Sequence, residues 1–192
     1  MLPDYQRIFR KYNEQLKPLI SEIEGRLEHF CPSLLLNLAA VFDYMSIAAV
    51  EGQDSPLLMK NADSYLDLCI SQSYMTLIYA IKKNTDAFEK DLGKKGMSKL
   101  DNGRFIGHYT ELKKRRNALL KKAKNMKEEE ALPIFKEIYE VVTKMEEMVN
   151  HEKSNISIIQ SEVSSWASTC IKWGLSIAIS VFVGGVVKYY LE

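Results

Sequence analysis

Residues 57–83, LLMKNADSYLDLCISQSYMTLIYAIKK, form the longest stretch of this 192-residue sequence that keeps a single helical pattern. Large side chains recur three or four positions apart along it, at Leu66, Ile70, Tyr74, Leu77 and Ile81. That spacing follows the 3.6-residue period of an α-helix, and alternation with a period of two is rare. The stretch therefore predicts a long helix with one face packed on a core.

The same pattern continues on both sides of this helix, and glycine and proline are scarce. It predicts a first helix from about Tyr5, which Pro18 bends or breaks, and a second over Leu34–Val50. A fourth follows over Phe105–Met126, and a fifth restarts at Pro133. The stripe of that fifth helix consists of Ile134, Ile138, Val142, Met145 and Val149. We therefore expect an all-α fold, in which residues 1–165 form a helical bundle.

Residues 166–192 form a second, chemically different segment. Fifteen consecutive residues, Trp173–Val187, carry no charge, although 27% of the whole chain is charged. A membrane-spanning helix needs ~20 mostly apolar residues. A slightly shorter run suffices where flanking lysines snorkel to the membrane surface and aromatic rings lie at the interfaces. The segment predicts a single C-terminal transmembrane helix. The alternative is a buried C-terminal helix of a soluble domain.

One face of that predicted helix carries small or polar residues at spacings of three and four: Thr169, Lys172, Ser176, Ser180, Gly184 and Lys188. Such a stripe allows close backbone approach and hydrogen bonds between helices, so the segment is expected to self-associate. In a dimer the stripe would be a packing seam. In a larger ring it would line a water path, with the two lysines as basic rings. The sequence does not set the number of copies.

The charges of the chain are segregated. The net charge is +1, but residues 82–127 hold fifteen Lys or Arg against five Asp or Glu, and residues 128–162 hold nine acids against three bases. The densest basic run predicts a surface for RNA or another anionic partner, or for anionic lipid. Its members are Lys113, Lys114, Arg115, Arg116, Lys121, Lys122 and Lys124.

The chain has few groups suited to catalysis. It contains no His, Cys, Asp or Glu cluster at metal-ligand spacing, no phosphate-loop motif, no G-x-S-x-G and no dinucleotide fingerprint. We therefore expect neither a metal nor a cofactor. Three widely separated cysteines without a C-x-x-C pair indicate a reducing compartment, and the N-terminal residues do not resemble a secretory signal.

The segment Arg115-Arg116-Asn117-Ala-Leu-Leu-Lys121 resembles the R-N-x-x-x-H motif of the HEPN superfamily of helical bundles. In ribonuclease members of that superfamily, the arginine and the histidine face a scissile RNA phosphate across a dimer. Here Lys121 stands at the histidine position. Arg104-Phe-Ile-Gly-His108 keeps a histidine but is one residue short. An unperturbed ammonium, with a pKa of ~10.4, binds anions but does not shuttle protons near pH 7. The degenerate motif therefore predicts phosphate binding without an assigned catalytic residue.

A HEPN-like helical body joined to one short membrane helix is similar to the accessory membrane protein of RNA-targeting, type VI CRISPR systems. This resemblance implies a homo-oligomeric pore in antiviral defence that acts with an RNA-guided ribonuclease and permeabilises or depolarises the membrane. It also implies a bacterial inner-membrane protein, single-pass, with a cytoplasmic N-terminal body. Two alternatives are a membrane-tethered HEPN ribonuclease that uses Arg104 and His108, and a tail-anchored scaffold protein.

Overall fold

The computed structural model describes residues 3–27, 32–50, 56–126, 130–154 and 156. These residues are helical almost throughout and contain no strand, so the all-α prediction is confirmed. The chain divides into two compact units, residues 1–149 and 150–192. The fold below is that of the first unit. The predicted boundary between Ser165 and Trp166, and the whole predicted membrane segment, lie outside the described residues.

Six α-helices and two short helical segments of other types make up the described chain. In chain order they are α1 (Pro3–Lys11), a π-helical segment (Tyr12–Leu16), α2 (Lys17–Leu27), α3 (Pro32–Val50), α4 (Pro56–Met97), a 3-10 segment (Leu100–Gly103), α5 (Arg104–Lys124) and α6 (130–154).

Pro18 changes the helix type but does not end the helix. A proline inside a helix lacks an N–H donor, and its ring clashes with the carbonyl four residues earlier. Directly before Pro18 the backbone widens into the π-helical segment, where the Lys17 N–H donates to the Tyr12 carbonyl, five residues earlier. Such a π-helical turn absorbs the misfit, because the wider backbone leaves the proline ring more room. The α1 and α2 helices therefore form one continuous run.

The central helix, α4, is longer than the predicted end near Lys83. Thr85 and Phe88 continue its buried face at the same spacing and are 1% and 5% exposed. At Gly93, whose φ of +61° is left-handed and suits a residue without a Cβ, the chain kinks, and residues 94–97 form a separate helical turn. The prediction was wrong at this end because the dense charges after Lys82 conceal the buried positions between them.

Two apolar clusters in the core of the described residues share α4. The first joins α1, α2, α3 and the first half of α4. The second joins the middle of α4 with α5 and α6, and includes Ile81, Ala123, Ile138 and Val142. The stripes predicted for the third and fifth helices are confirmed, since their aliphatic members and Met145 are at most 5% exposed. Thus α3 and α5 pack on different parts of one helix.

One helix in the described part of the chain, α3, is long and apolar enough to cross a membrane. A core helix of a soluble protein meets the same criterion of length and composition. Its outer face is nevertheless unusual, because much of it is apolar and exposed. The predicted C-terminal span belongs to residues outside those searched.

Candidate anion-binding surface on α5

The inner face of α5 is fixed on α4 by aromatic contacts. The Phe105 ring centre lies 5.9 Å from that of Phe88 and 5.6 Å from that of Tyr109. The Tyr109 hydroxyl donates to the Thr85 carbonyl at 3.1 Å. Burial, assisted by the charge of Glu89, raises the pKa of Tyr109 to about 12, so the phenol stays neutral and can donate. These contacts determine which residues of α5 face outward.

Arg116, the arginine of the degenerate motif, lies on this inner face and is 3% exposed. Its Nη1 is 3.5 Å from Asp86 Oδ1, and its Nε is 3.3 Å from Asn117 Oδ1. Burial would raise the pKa of the Asp86 carboxyl, but Lys82 and Arg116 together outweigh it and hold that pKa below its usual value. The Arg116 guanidinium therefore lies between α4 and α5 and away from the outer surface.

Two further basic residues of the predicted surface form ion pairs with acids on neighbouring helices. Lys113 Nζ contacts both carboxylate oxygens of Glu89 on α4, at 2.6 and 2.7 Å. Arg115 Nη2 contacts Glu137 Oε1 on α6 at 2.7 Å. Because each cation has a close acidic partner, part of its charge is already compensated. We therefore assign Lys113 and Arg115 mainly to the attachment of α5.

The remaining four lysines of the predicted surface, Lys114, Lys121, Lys122 and Lys124, are exposed. Within the described residues none of them forms an ion pair with an acid. Lys114 and Lys121 are seven residues apart and so lie on one line of the helix, and Lys122 and Lys124 flank this line, roughly 80° to either side. We call these four residues the outer basic face of α5. It is the part of the predicted surface with uncompensated positive charge.

Arg104 and His108, the residues of the second partial motif, are both exposed in the first two turns of α5. They are four residues apart and therefore share a face. His108 lies roughly 12 Å before Arg116 along the helix axis, at 1.5 Å per residue. A single chain therefore does not place His108 beside Arg116. Asn117 and Lys121, the other residues of the first partial motif, are exposed one turn apart.

The described residues offer little for other chemistry. They include no group of three or more His, Cys, Asp or Glu side chains that could hold a metal ion. Cys69 is fully buried, its thiol lies 4.0 Å from the Leu34 carbonyl, and burial raises its pKa to about 11, so it is not a ready nucleophile. What the arrangement on α5 can do is attract and hold an anion by charge.

Sequence reasoning missed the acids that compensate this helix, namely Asp86, Glu89 and Glu137. It also missed that Arg116 faces inward, although the spacing of Phe105, Tyr109, Leu112 and Arg116 places all four on one stripe. The pore-lining candidates, Thr169 to Lys188, lie outside the described residues. Comparison with protein-family models, with curated proteins and with solved structures finds no match to this chain.

Proposed function

We propose that this protein is an oligomeric, channel-like membrane effector with an anion-binding helical body. In this proposal residues 166–192 form the transmembrane helix, copies assemble along the small-residue stripe, and the body stays in the cytoplasm. The HEPN-like resemblance supports a role in antiviral CRISPR defence, in which the protein would act with an RNA-guided ribonuclease and permeabilise or depolarise the bacterial inner membrane.

The single observation that carries the proposal is the composition of the C-terminal segment. Its uncharged run is bracketed by Lys172 and Lys188 and by aromatic residues at both ends, as expected of a span with two interfaces. If lipid surrounded the whole helix, the stripe of Ser176, Ser180 and Gly184 would make poor contacts with it. Against other copies of the helix, the same stripe would allow close packing. If the stripe lined a shared lumen instead, its polar groups would be in contact with water.

The outer basic face of α5 supports the regulatory half of the proposal. Its four lysines lack acidic partners in the described structure, so they remain available to an anionic regulator such as RNA. The neighbouring Arg116 is occupied inside the helix pair. In this proposal the body therefore binds RNA through its backbone phosphates and does not cleave it.

Ion flux through liposomes tests the channel. The full-length protein is reconstituted into phosphatidylethanolamine and phosphatidylglycerol vesicles, and potassium release is recorded. We expect the wild type to conduct and Ser180→Leu to reduce the flux about tenfold or more, because a large apolar side chain would narrow and dewet the lumen. Lys172→Glu should shift the preference between cations and anions.

Ala178→Leu is the matched control for this experiment. It introduces the same leucine in place of another small residue, two positions away and so roughly 200° around an ideal helix. Flux that is unchanged by Ala178→Leu but lost in Ser180→Leu supports the stripe as the lumen face. Wild-type protein that inserts into vesicles without conducting would exclude the channel.

A membrane-tethered HEPN ribonuclease is the second candidate, because Arg104 and His108 are both exposed on one face of α5. This candidate requires two chains to combine their sites, and metal-independent cleavage of RNA. His108→Ala should abolish such cleavage and leave ion flux intact. A tail-anchored scaffold, the third candidate, would show neither activity and would still bind its protein partner.

A further inference from the structure

The outer face of α3 is an apolar surface that the described fold leaves uncovered. Its inner side packs on α4 and is buried at residues such as Val41 and Ala48, and the Tyr5 hydroxyl of α1 donates to the Met45 carbonyl on α3. On the side away from α4 the residues are exposed, and five of them are large and apolar: Leu36 at 73% and Val50 at 84% near its middle, and Leu35 at 52%, Phe42 at 45% and Ile47 at 45% on its flanks. We call this side the outer face of α3.

The area of this face is what a specific contact needs. Five side chains with these exposures leave on the order of 500 Å² of apolar surface, which is near the upper end for the largest patch on a monomer. Phe9, which is 38% exposed, adds to the apolar surface of the body, and the neighbouring Tyr12 ring packs edge-on against Phe42 at 6.4 Å. Two copies of such a face together supply roughly 1,000 Å², the lower limit for a specific interface.

The low charge of the outer face of α3 indicates which kind of partner fits it. Between Pro32 and Val50 the chain has no Lys or Arg and a single acid, Asp43, which is exposed on the outer face. An amphipathic helix that lies on an anionic bilayer is typically rich in Lys and Arg, and nucleic acid requires them. A second apolar helix without strong charge fits the surface better. The outer face of α3 itself has that character.

We propose that the outer face of α3 is an interface between two copies of this chain, with the two α3 helices antiparallel about a two-fold axis. The line of Leu36, Ala39, Asp43, Ser46 and Val50 has spacings of three and four, which is the pattern of helix–helix packing. The interface rests on the proposed function in one respect, that copies of the chain assemble. It gives the helical bodies a pairwise contact that is separate from the stripe contacts of the C-terminal segment.

The antiparallel arrangement follows from the side chains along this line. In a parallel pair each residue meets its own counterpart, so two Asp43 carboxylates would lie at the same level, which is unfavourable. In an antiparallel pair centred on Val41, the middle residue of α3, Leu36 lies opposite Ser46 of the second copy, and Ala39 opposite Asp43. Large side chains then meet small ones, and the two carboxylates are offset by four residues, about 6 Å along the helix.

Disulfide cross-linking of the full-length protein in detergent tests this arrangement. Leu36→Cys and Ser46→Cys are introduced together, with Cys31 and Cys170 changed to serine and the buried Cys69 left in place. We expect the double variant to form a disulfide-linked dimer upon mild oxidation. Within one chain the two positions are roughly 15 Å apart along the helix, too far for an internal bridge, which requires Cα atoms within about 7 Å.

Each single variant should give at least fivefold less dimer, because in this register identical positions are far apart. Tyr79→Cys on α4 is the exposure-matched control, since Tyr79 is 72% exposed and Leu36 73%. Cross-linking of the single variants would indicate a parallel pair and overturn the arrangement. No cross-link in the double variant would overturn the interface, and protection of its cysteines upon addition of anionic vesicles would then assign the face to lipid.

The two proposals fail separately. A cross-linked dimer whose vesicles do not conduct keeps the α3 interface and excludes the channel. Ion flux in a protein that never cross-links through α3 keeps the channel and excludes the interface.

Discussion

Helices α3 and α5 both pack on α4 with an apolar inner side, but their outer sides are opposite in character. Over Pro32–Val50 the only charged residue is Asp43, and the outer face is largely aliphatic and aromatic. Over Arg104–Lys124 there are eight Lys or Arg and one acid, and most of the bases are exposed. The inner sides are explained by the core. The packing of the described residues does not account for the outer sides.

This difference indicates two kinds of contact. An exposed apolar face is stabilised when water is excluded from it, so α3 favours a close-packed protein surface. An exposed basic face is stabilised by an anion and is sensitive to salt, so α5 favours phosphate. In the two proposals, α3 contacts a copy of the chain and α5 an anionic regulator.

The largest expected effect comes from reversing the charge of the α5 face. The triple variant Lys114→Glu, Lys121→Glu and Lys122→Glu should lower the affinity for single-stranded RNA on the order of 100-fold. It should also flatten the plot of log affinity against log salt concentration by about two in slope, because each of three lost phosphate contacts accounts for about 0.7. The free energy of unfolding should change little, since these side chains are exposed. Fluorescence anisotropy of a labelled RNA at several salt concentrations measures both quantities.

A triple reversal at Lys17, Lys60 and Lys144 is the control, because these lysines are also exposed but belong to α2, α4 and α6. It makes the same change in net charge and should reduce affinity much less. Equal losses in the two triple variants would show that binding follows net charge alone. In that case the outer basic face of α5 would not be a specific binding surface for RNA.

The fold was largely predictable from periodicity, and its errors have local causes. The stripes predicted for the third and fifth helices were correct, because apolar residues at this spacing share one face when the chain is helical. Pro18, which was predicted to bend or break the first helix, does not break it, because a π-helical turn, which sequence periodicity does not reveal, accommodates it. The end of α4 was placed too early because Thr85 and Phe88 stand within a charged run.

The second-largest effect concerns neighbouring arginines on α5. Arg116→Ala should lower the free energy of unfolding by about 1–3 kcal/mol, because it removes a buried side chain and the partner of Asp86. The affinity for RNA should stay within about twofold, since Arg116 is inside the helix pair. Urea unfolding and the same anisotropy measurement test the two statements.

Arg115→Ala is the internal control. It should lower the free energy of unfolding by at most about 0.5 kcal/mol, because the Arg115–Glu137 pair is largely exposed. A variant Arg116→Ala that remains stable but no longer binds RNA would contradict the inward placement. It would favour the HEPN-type role of this arginine.

The site was predictable only as a region. The count of Lys and Arg identified α5 as basic, but it could not distinguish Lys121, which is exposed, from Arg116, which is buried. The distinction follows from the register of Phe105 and Tyr109, which turns Arg116 towards α4. The compensating acids lie 22 to 30 residues away in the sequence, so only tertiary structure shows which cations they neutralise.

A smaller effect is expected at the centre of the α3 face. Asp43→Asn removes the one charge of this face and should tighten self-association about two- to fivefold, because two like charges near the axis no longer repel. Sedimentation equilibrium of the full-length protein in detergent measures the change. Glu24→Gln, at an exposed acid on α2, should leave association unchanged. Weaker association in Asp43→Asn would mean that the carboxylate is itself a contact.

The smallest effect is a pH dependence on the inner side of α5. The pKa of Asp86 is lower in the folded protein than in the unfolded chain, because Lys82 and Arg116 outweigh the opposing effect of burial. Its contribution is therefore complete above the unfolded pKa of 3.8 and is lost as the pH falls below that value. Because the carboxylate is 38% exposed, solvent screening limits this contribution to a few tenths of a kcal/mol.

Urea unfolding between pH 3 and 6 should show a shallower loss of stability in Asp86→Asn than in the wild type. The exposed Asp91→Asn should follow the wild type, and an Asp86→Asn profile identical to that of the wild type would remove Asp86 from the attachment of α5.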